Sequence, residues 1–88
     1  MKPLWFAYCT GEDYPVVQRE IELREHGACV LRVDDLELLE RIAGALDAKV
    51  AGTMVLARGL GIEAHAALVE RIARTDGTGR VVALVEAI

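Results

Sequence analysis

The sequence LWFAYC at positions 4–9 is apolar at nearly every position, and it is followed at once by TGED at positions 10–13. A strand with one wet face alternates apolar and polar residues, so this unbroken run indicates a strand covered on both faces. The polar stretch holds two alternative helix-start signals, Thr10 and Asp13, and Pro15 is tolerated in the first turn of a helix. A buried strand that leads directly into a helix is typical of α/β proteins.

The same alternation continues to the end of the chain. Strand-like apolar runs fall at 3–9, 28–33, 50–57 and 80–85, and segments of helical periodicity fall at 13–26, 34–48 and 62–75. The pattern predicts one α/β domain over residues 1–88, a small open and mostly parallel four-stranded sheet with three helices in the order βαβαβαβ. With right-handed crossovers, the common strand order is 2-1-3-4.

The segment between the first two strands admits two interpretations. As a helix it places Val16, Val17, Ile21 and Leu23 on one broad apolar face and stops at Gly27. As a strand it uses the period-two alternation of residues 19–25, which gives an α+β fold with a hairpin at 19–33. We favour the helix, because both end signals are present and the length suits a crossover.

Further along the chain, two helix starts are marked by their sequence. Asp34 and Asp35 both offer a cap at the start of the second helix, and Asp34 with Glu37 resembles a capping box. The loop RGLG at 58–61 leads into the third helix, and DGTG at 76–79 forms a turn before the last strand.

Composition excludes two classes of partner. The net charge is −4, and no block of like charges occurs, so neither nucleic acid nor an anionic membrane surface is expected as a partner. No stretch approaches the roughly 20 apolar residues that span a bilayer. The hydrophobic fraction of 53% exceeds the about 45–50% of an average domain. This excess predicts a very dry core or an apolar surface that a protein partner covers.

Cys9 and Cys29 are the only cysteines, and both fall in runs predicted to be buried strands. Such strands usually hold free thiols, so we expect no disulfide and a reducing compartment. The first residues lack the long apolar run of a signal peptide. The cytoplasm is therefore the expected location.

The predicted strand order places a ligand crevice between the carboxyl ends of the first and third strands. The residues expected to bind a ligand there are Thr10, Gly11, Arg58 and Gly59. Free backbone N–H groups after Gly11 suit an anion, and Arg58 can clamp a carboxylate or phosphate. In the alternative interpretation, the loop after the first strand only caps a helix, and Arg58 pairs with Glu12 or Asp13 across the crevice.

No residue pattern in the sequence indicates catalysis. Cys9 is followed by a helix start, which can lower a thiol pKa, but no resolving cysteine accompanies it, and a buried inert thiol is the alternative interpretation. His26 and His65 lie on different predicted helices, in no triad or zinc-ligand spacing. We expect no catalytic residue, no metal and no cofactor.

The layout resembles the receiver domains of response regulators. The run LREHGACVLRVDD at 23–35 is similar to the end of their first helix and their second strand, and MVLARGLG at 54–61 lies where they carry the phosphoacceptor. A receiver needs an aspartate where residues 57–58 are Ala-Arg, and paired acids where residues 8–9 are Tyr-Cys. The resemblance implies a degenerate receiver that works through protein contacts rather than phosphorylation.

The last strand carries the main functional hypothesis. In the order 2-1-3-4 it is an edge strand, and its apolar sequence lacks the protection that natural edge strands carry. Burying about 500 Å² of apolar surface there would contribute about 12 kcal/mol before association costs of about 4–15 kcal/mol. The expected interface residues are Val81, Val82, Leu84, Val85 and Ile88.

Three functional hypotheses follow. The first is a non-enzymatic regulatory or protein-interaction module that forms a homodimer or docks on a protein partner. The second is a small thiol-redox or anion-binding protein that uses the loop after the first strand. The third is the front domain of a longer regulator.

Overall fold

The computed structural model describes residues 2–45, 50–76 and 80–84. Strands and helices alternate strictly along them: β1 Leu4–Tyr8, α1 Tyr14–Arg24, β2 Cys29–Val33, α2 Leu36–Ala45, β3 Val50–Val55, α3 Ile62–Asp76 and β4 Val81–Ala83. The four strands form one parallel sheet in the order β2-β1-β3-β4. The predicted α/β layout and strand order are confirmed. Val85, Ile88, the predicted end of the second helix and most of the turn before β4 lie outside the described residues.

The segment between β1 and β2 is a helix, and the alternative hairpin at 19–33 is wrong. β1 and β2 pair in parallel, which requires a crossover that a short turn cannot supply. Val17 and Ile21 of α1 are fully buried against the sheet, whereas Val16 and Leu23, predicted on the same face, are exposed. Gly27 ends the segment with a φ of +79°, a conformation that favours glycine, and its N–H donates to the Glu22 carboxylate at 3.1 Å.

Of the two aspartates predicted as caps of the second helix, Asp35 is the one that caps it. The Asp35 carboxylate accepts the backbone N–H of Glu37 at 2.9 Å, and its carbonyl accepts the N–H of Leu39 at 3.0 Å. Asp34 is instead paired with Arg32, at 3.2 Å between Nη1 and Oδ2. The predicted capping box of Asp34 with Glu37 is therefore wrong, because Arg32 of β2 holds the Asp34 carboxylate.

The core consists of two layers, one on each face of the sheet, because alternate residues of each strand point to opposite faces. The layer beneath α1 is formed by Trp5, Ala7, Cys9, Val17, Ile21, Met54 and Leu56. The layer beneath α2 and α3 is formed by Phe6, Val33, Leu39, Val50, Val55 and Ile72. β1 therefore needs apolar residues at successive positions, which accounts for its unbroken apolar sequence.

The indole of Trp5 covers part of the sheet beside β4. α1 packs on β1, β2 and β3, and α3 packs on β4 from the other face. Trp5 is fully buried, and its ring would lie 2.9 Å from a Cβ placed on Gly52 of β3. Its Nε1–H donates to Glu25 at 2.8 Å, and the Arg80 guanidinium lies 5.4 Å from the ring centroid. The indole thus bridges the end of α1 to the start of β4.

The prediction that Cys29 is buried is wrong. Cys29 is exposed, whereas Cys9 is buried. The cause is the place of β2 at the sheet edge, where the flanking helices leave Cys29, Leu31 and Arg32 in contact with solvent. Cys29 pairs with Leu4, five residues before Cys9, so the thiols are separated by roughly 16 Å along the strands. Both cysteines are free.

Candidate functional site

A crevice of about 540 Å³ opens at the carboxyl ends of β1 and β3. The strand order reverses at this point, because the chain leaves β1 toward β2 on one side and reaches β3 on the other. The crevice is lined by Tyr8, Cys9, Thr10, Glu12, Asp13, Asp34, Leu56, Ala57, Arg58, Leu60 and Leu68. It lies where the sequence predicted a ligand site.

Backbone hydrogen bonds hold the walls of the crevice together. The N–H of Cys9 donates to the carbonyl of Val33 at 3.0 Å, and the N–H of Leu56 donates to that of Tyr8 at 3.0 Å. These bonds extend the pairing of β1 with both neighbours past the ends of the strands. The Thr10 hydroxyl then accepts the N–H of Asp13 at 3.3 Å, which turns the chain into α1.

Arg58 and Asp13 form an ion pair across the crevice. The Nε of Arg58 lies 3.1 and 3.0 Å from the two carboxylate oxygens of Asp13. The hydrogen bond from Arg58 holds the pKa of Asp13 below its ordinary value. Because its carboxylate is turned toward Arg58, Asp13 caps α1 with its backbone carbonyl only, which accepts the N–H groups of Val16 and Val17. Sequence analysis anticipated this pair as the alternative role of Arg58.

The four predicted ligand-binding residues do not all reach the crevice. Thr10 and Arg58 line it. Gly11 lies in the same loop near Arg32, whose Cζ would be 3.9 Å from a Cβ at Gly11, and Gly59 takes a φ of +78° in an exposed turn. These glycines shape the two loops.

Several lining residues were not predicted as part of a ligand site. They are Tyr8, Asp34, Leu56, Ala57 and Leu68. The sequence shows that Leu68 belongs to the apolar stripe of α3. Only the packing of α3 in the structure shows that this stripe reaches the crevice. The sequence also gave no indication that Arg32 contributes to this region. Its guanidinium donates to the Cys9 carbonyl at 3.3 Å, at the start of the loop that follows β1.

The Cys9 thiol and the Tyr8 phenol, which both line the crevice, have raised pKa values that keep them in their neutral forms at pH 7. Burial raises the pKa of the Cys9 thiol, and the Asp13 and Asp34 carboxylates add to the effect. Burial likewise raises the pKa of the Tyr8 phenol, with Asp35 and Asp34 adding to it. A protonated thiol is a poor nucleophile, so the arrangement suits binding better than thiol chemistry.

Metal and membrane sites were also sought. Among residues 2–45, 50–76 and 80–84, no three His, Cys, Asp or Glu side chains are placed to hold a metal ion. In the same residues, no helix combines the length and the apolar character that crossing a membrane requires.

The outer edge of β4 is a second candidate surface. The predicted interface residues Val81, Val82 and Leu84 are half-buried, and β4 is an edge strand as predicted. Val82 and Leu84 pack at the margin of the layer beneath α1, and Val81 packs at the margin of the opposite layer. Both faces of β4 therefore expose apolar surface beside a strand edge.

Comparison with known proteins gives no relative. No protein-family model matches the chain, and no curated protein and no solved structure matches it.

Proposed function

We propose that the chain is a non-enzymatic protein-interaction module that binds through the outer edge of β4. The observation that supports this is the combination of a sheet edge and half-buried apolar side chains in one strand. Surfaces of that kind take another strand readily, because main-chain hydrogen bonds give affinity and the side chains give specificity.

The hydrogen bonds between β3 and β4 define which groups the edge offers. The N–H of Thr53 donates to the carbonyl of Arg80 at 3.0 Å, and the N–H of Leu84 donates to the carbonyl of Val55 at 2.8 Å. In a parallel ladder every second residue bonds to the neighbour, so Val82 also bonds to β3. The N–H and C=O groups of Val81 and Ala83 therefore point away from the sheet, toward an incoming strand.

The proposal extends to a regulatory role in the cytoplasm. The receiver-like layout supports a regulatory module, since the chain would then keep the scaffold of a receiver and work by contact alone. The free thiols of Cys9 and Cys29 support a reducing compartment.

The test is the substitution Ala83→Pro. Proline removes one outward N–H and is tolerated on an edge strand when that N–H faces solvent. We expect the variant to stay folded and to lose the partner, whether a second copy or another protein. Sedimentation measures the oligomeric state of the wild-type protein and of Ala83→Pro. Affinity capture from the source cell shows which proteins each of them retains.

Val82→Pro is the matched control, because it removes an N–H that bonds to β3 and should lower the melting temperature. The proposal is wrong if wild type and Ala83→Pro have the same oligomeric state and hold the same captured proteins.

A small-ligand function for the crevice is the second candidate. Its volume of about 540 Å³ is favourable, because ligand pockets commonly span about 300–1,000 Å³. Anion binding requires Arg58 to leave Asp13, so Asp13→Asn should strengthen the binding of inorganic phosphate if Arg58 is the anion ligand. Calorimetric titration of both proteins with phosphate tests this, and no binding by either protein counts against the anion site.

The thiol version of this candidate has a separate test. The raised pKa of Cys9 keeps the thiolate form scarce at neutral pH, so a thiol reagent should label Cys29 and leave Cys9 unlabelled until the protein unfolds. The variant Cys29→Ser should then give no labelling of the folded protein. Rapid labelling of Cys9 at neutral pH would instead favour thiol chemistry.

A further inference from the structure

We infer that the crevice at the carboxyl ends of β1 and β3 binds a small organic cation, an amine carried on an apolar body. The inference rests on the second candidate function, since it names the class of ligand that the same crevice takes. The apolar part of the lining, the pairing of its charges and the field at the Tyr8 phenol each support it.

One part of the crevice lining is apolar. Its side chains come from the segment that follows β3 and from α3, and they are Leu56, Ala57, Leu60 and Leu68. Leu56 belongs to the core layer beneath α1, whereas Ala57 and Leu68 pack at the margin of the opposite layer. Leu60 is 45% exposed, so an apolar group in the crevice would cover surface that water now reaches. A ligand with an apolar body therefore gains affinity from this part of the lining.

The charged groups of the lining are mostly acidic. In the described part of the chain, they are the carboxylates of Glu12, Asp13 and Asp34 and the guanidinium of Arg58. Asp13 pairs with Arg58 at 3.0 Å, and Asp34 pairs at 3.2 Å with Arg32, which lies outside the lining. Throughout residues 2–45, 50–76 and 80–84, no hydrogen bond and no ion pair engages the Glu12 side chain. A cation in the crevice therefore meets an unpaired carboxylate.

The Tyr8 phenol, which lines the crevice, experiences the same negative field. Burial is the main cause of its raised pKa, and the Asp35 and Asp34 carboxylates raise that pKa further, against a smaller opposing effect of Arg71. Carboxylates thus outweigh guanidinium groups at this point of the crevice. Such a field attracts an ammonium group and repels a phosphate or a carboxylate.

The ion pair of Arg58 with Asp13 adds a cost to the binding of an anion. The Nε of Arg58 lies 3.1 and 3.0 Å from the two carboxylate oxygens of Asp13. An anion that takes Arg58 must break these contacts and leave the Asp13 charge beside it. A cation leaves the pair intact and gains a contact with Glu12, so the crevice selects positive charge.

Three probes with the same aromatic ring and different head groups test the charge of the ligand. They are phenethylamine, which is a cation at pH 7, neutral phenethyl alcohol and anionic phenylacetate. Shifts of the backbone amide NMR signals measure binding in titrations at millimolar concentration. We expect the amine to bind about two- to fivefold more tightly than the alcohol, as suits a solvent-exposed charge pair, and phenylacetate to bind more weakly than the alcohol.

Two substitutions separate the charge from the apolar contact. Glu12→Gln should weaken the binding of the amine by about two- to fivefold and leave that of the alcohol unchanged. Glu63→Gln is the matched control, because Glu63 is exposed on α3 and outside the crevice lining. Leu60→Ser should weaken the amine and the alcohol alike, by about threefold or more. Leu23→Ser on α1 is its control, and all four side chains are exposed, so the variants should stay folded.

The outcomes separate this inference from the candidate function on which it rests. An amine that binds most tightly, and that loses its advantage over the alcohol in Glu12→Gln, supports the inference. Tighter binding of phenylacetate, equal binding of amine and alcohol, or equal effects of Glu12→Gln and Glu63→Gln would overturn the cation and leave a ligand in the crevice standing. No shift at the crevice with any of the three probes contradicts both. The β4 edge keeps its own test, Ala83→Pro.

Discussion

The two edges of the sheet are built differently. β2 has five residues, lies between α1 and α2, and carries Arg32, which bonds to Asp34 and to the carbonyl of Cys9. β4 has three residues, none of them charged, and α3 packs on one of its faces. A charged residue in an edge strand discourages pairing with other chains. β2 is thus the better protected edge, which agrees with the proposal that a partner binds at β4.

The apolar surface of the sheet is also covered differently beside β4 than beside β2. On the β2 side, helices supply the cover. On the β4 side, a single indole lies across Gly52 and under the Arg80 guanidinium. A side chain covers less area than a helix, which explains why Val82 and Leu84 stay half-buried. Substitutions on the two sides should therefore differ in their effects.

Trp5→Ala should have the largest effect on stability. The change removes the cover over β3 and the start of β4, and it leaves a large cavity because no other side chain can collapse into the space. We expect a loss of roughly 3–5 kcal/mol in the free energy of unfolding, measured by urea denaturation. Leu31→Ala on β2 is the control and should cost about 1 kcal/mol, because Leu31 is 39% exposed. Equal losses would show that the two sides do not differ.

Gly52→Ala should have the next largest effect. A methyl group at this position meets two ring carbons of Trp5 at 2.9 Å and the Arg80 carbonyl at 3.1 Å, so the indole or β4 must move. Overpacking of this kind costs about 1–3 kcal/mol, measurable in the same denaturation experiment. Gly44→Ala is the matched control, because a Cβ there meets no heavy atom within 4 Å and the residue lies in a helix. A neutral effect of Gly52→Ala would mean that the indole does not press on β3.

Arg32→Val should have a small effect on stability and a larger one on association. The half-exposed pair with Asp34 contributes about 0.2–1 kcal/mol, so the melting temperature should fall only slightly. Without the Arg32 charge, β2 should be able to pair with a strand of another molecule, as is proposed for β4. Sedimentation in an Ala83→Pro background isolates that edge, and a protein that remains monomeric there would show that Arg32 does not protect β2.

The smallest effect on stability is expected from Asp13→Asn, which breaks the ion pair with Arg58 in the crevice. The pKa of Asp13 is lowered in the folded protein by its hydrogen bond from Arg58, so this pair stabilises the fold above the unfolded pKa of about 3.9. The stabilisation is lost as pH falls through the folded pKa. We expect Asp13→Asn to have a slightly lower melting temperature than wild type at pH 7 and the same one in strong acid. Glu12→Gln removes the same charge from the same loop but leaves the ion pair intact, so it should not lower the melting temperature at pH 7.

Much of the fold could be predicted from local patterns. The apolar runs of the strands, the helical stripe of α2 and the stop at Gly27 indicated the number, type and order of elements. The strand order followed from the handedness of crossovers, which is a general property of parallel sheets. The crevice followed in turn, and with it the places of Thr10 and Arg58.

The errors arose where a contact from elsewhere in the fold decided the outcome. Asp34 has a good capping sequence, but Arg32 holds its carboxylate. Cys29 has the composition of a buried strand, but its strand lies at an edge.

The amino-acid sequence alone determined the α/β class and the parallel sheet, because both depend on the spacing of residues along the chain. The edge position of the last strand followed from the common strand order of such sheets. Only the tertiary structure decided that the Trp5 indole covers the β4 side, that Asp13 takes Arg58 across the crevice and that β2 carries a protecting charge. These contacts join residues 20 to 75 positions apart, such as Trp5 with Glu25 and with Arg80. Local periodicity carries no information about such distances, so the folded chain was needed to reveal them.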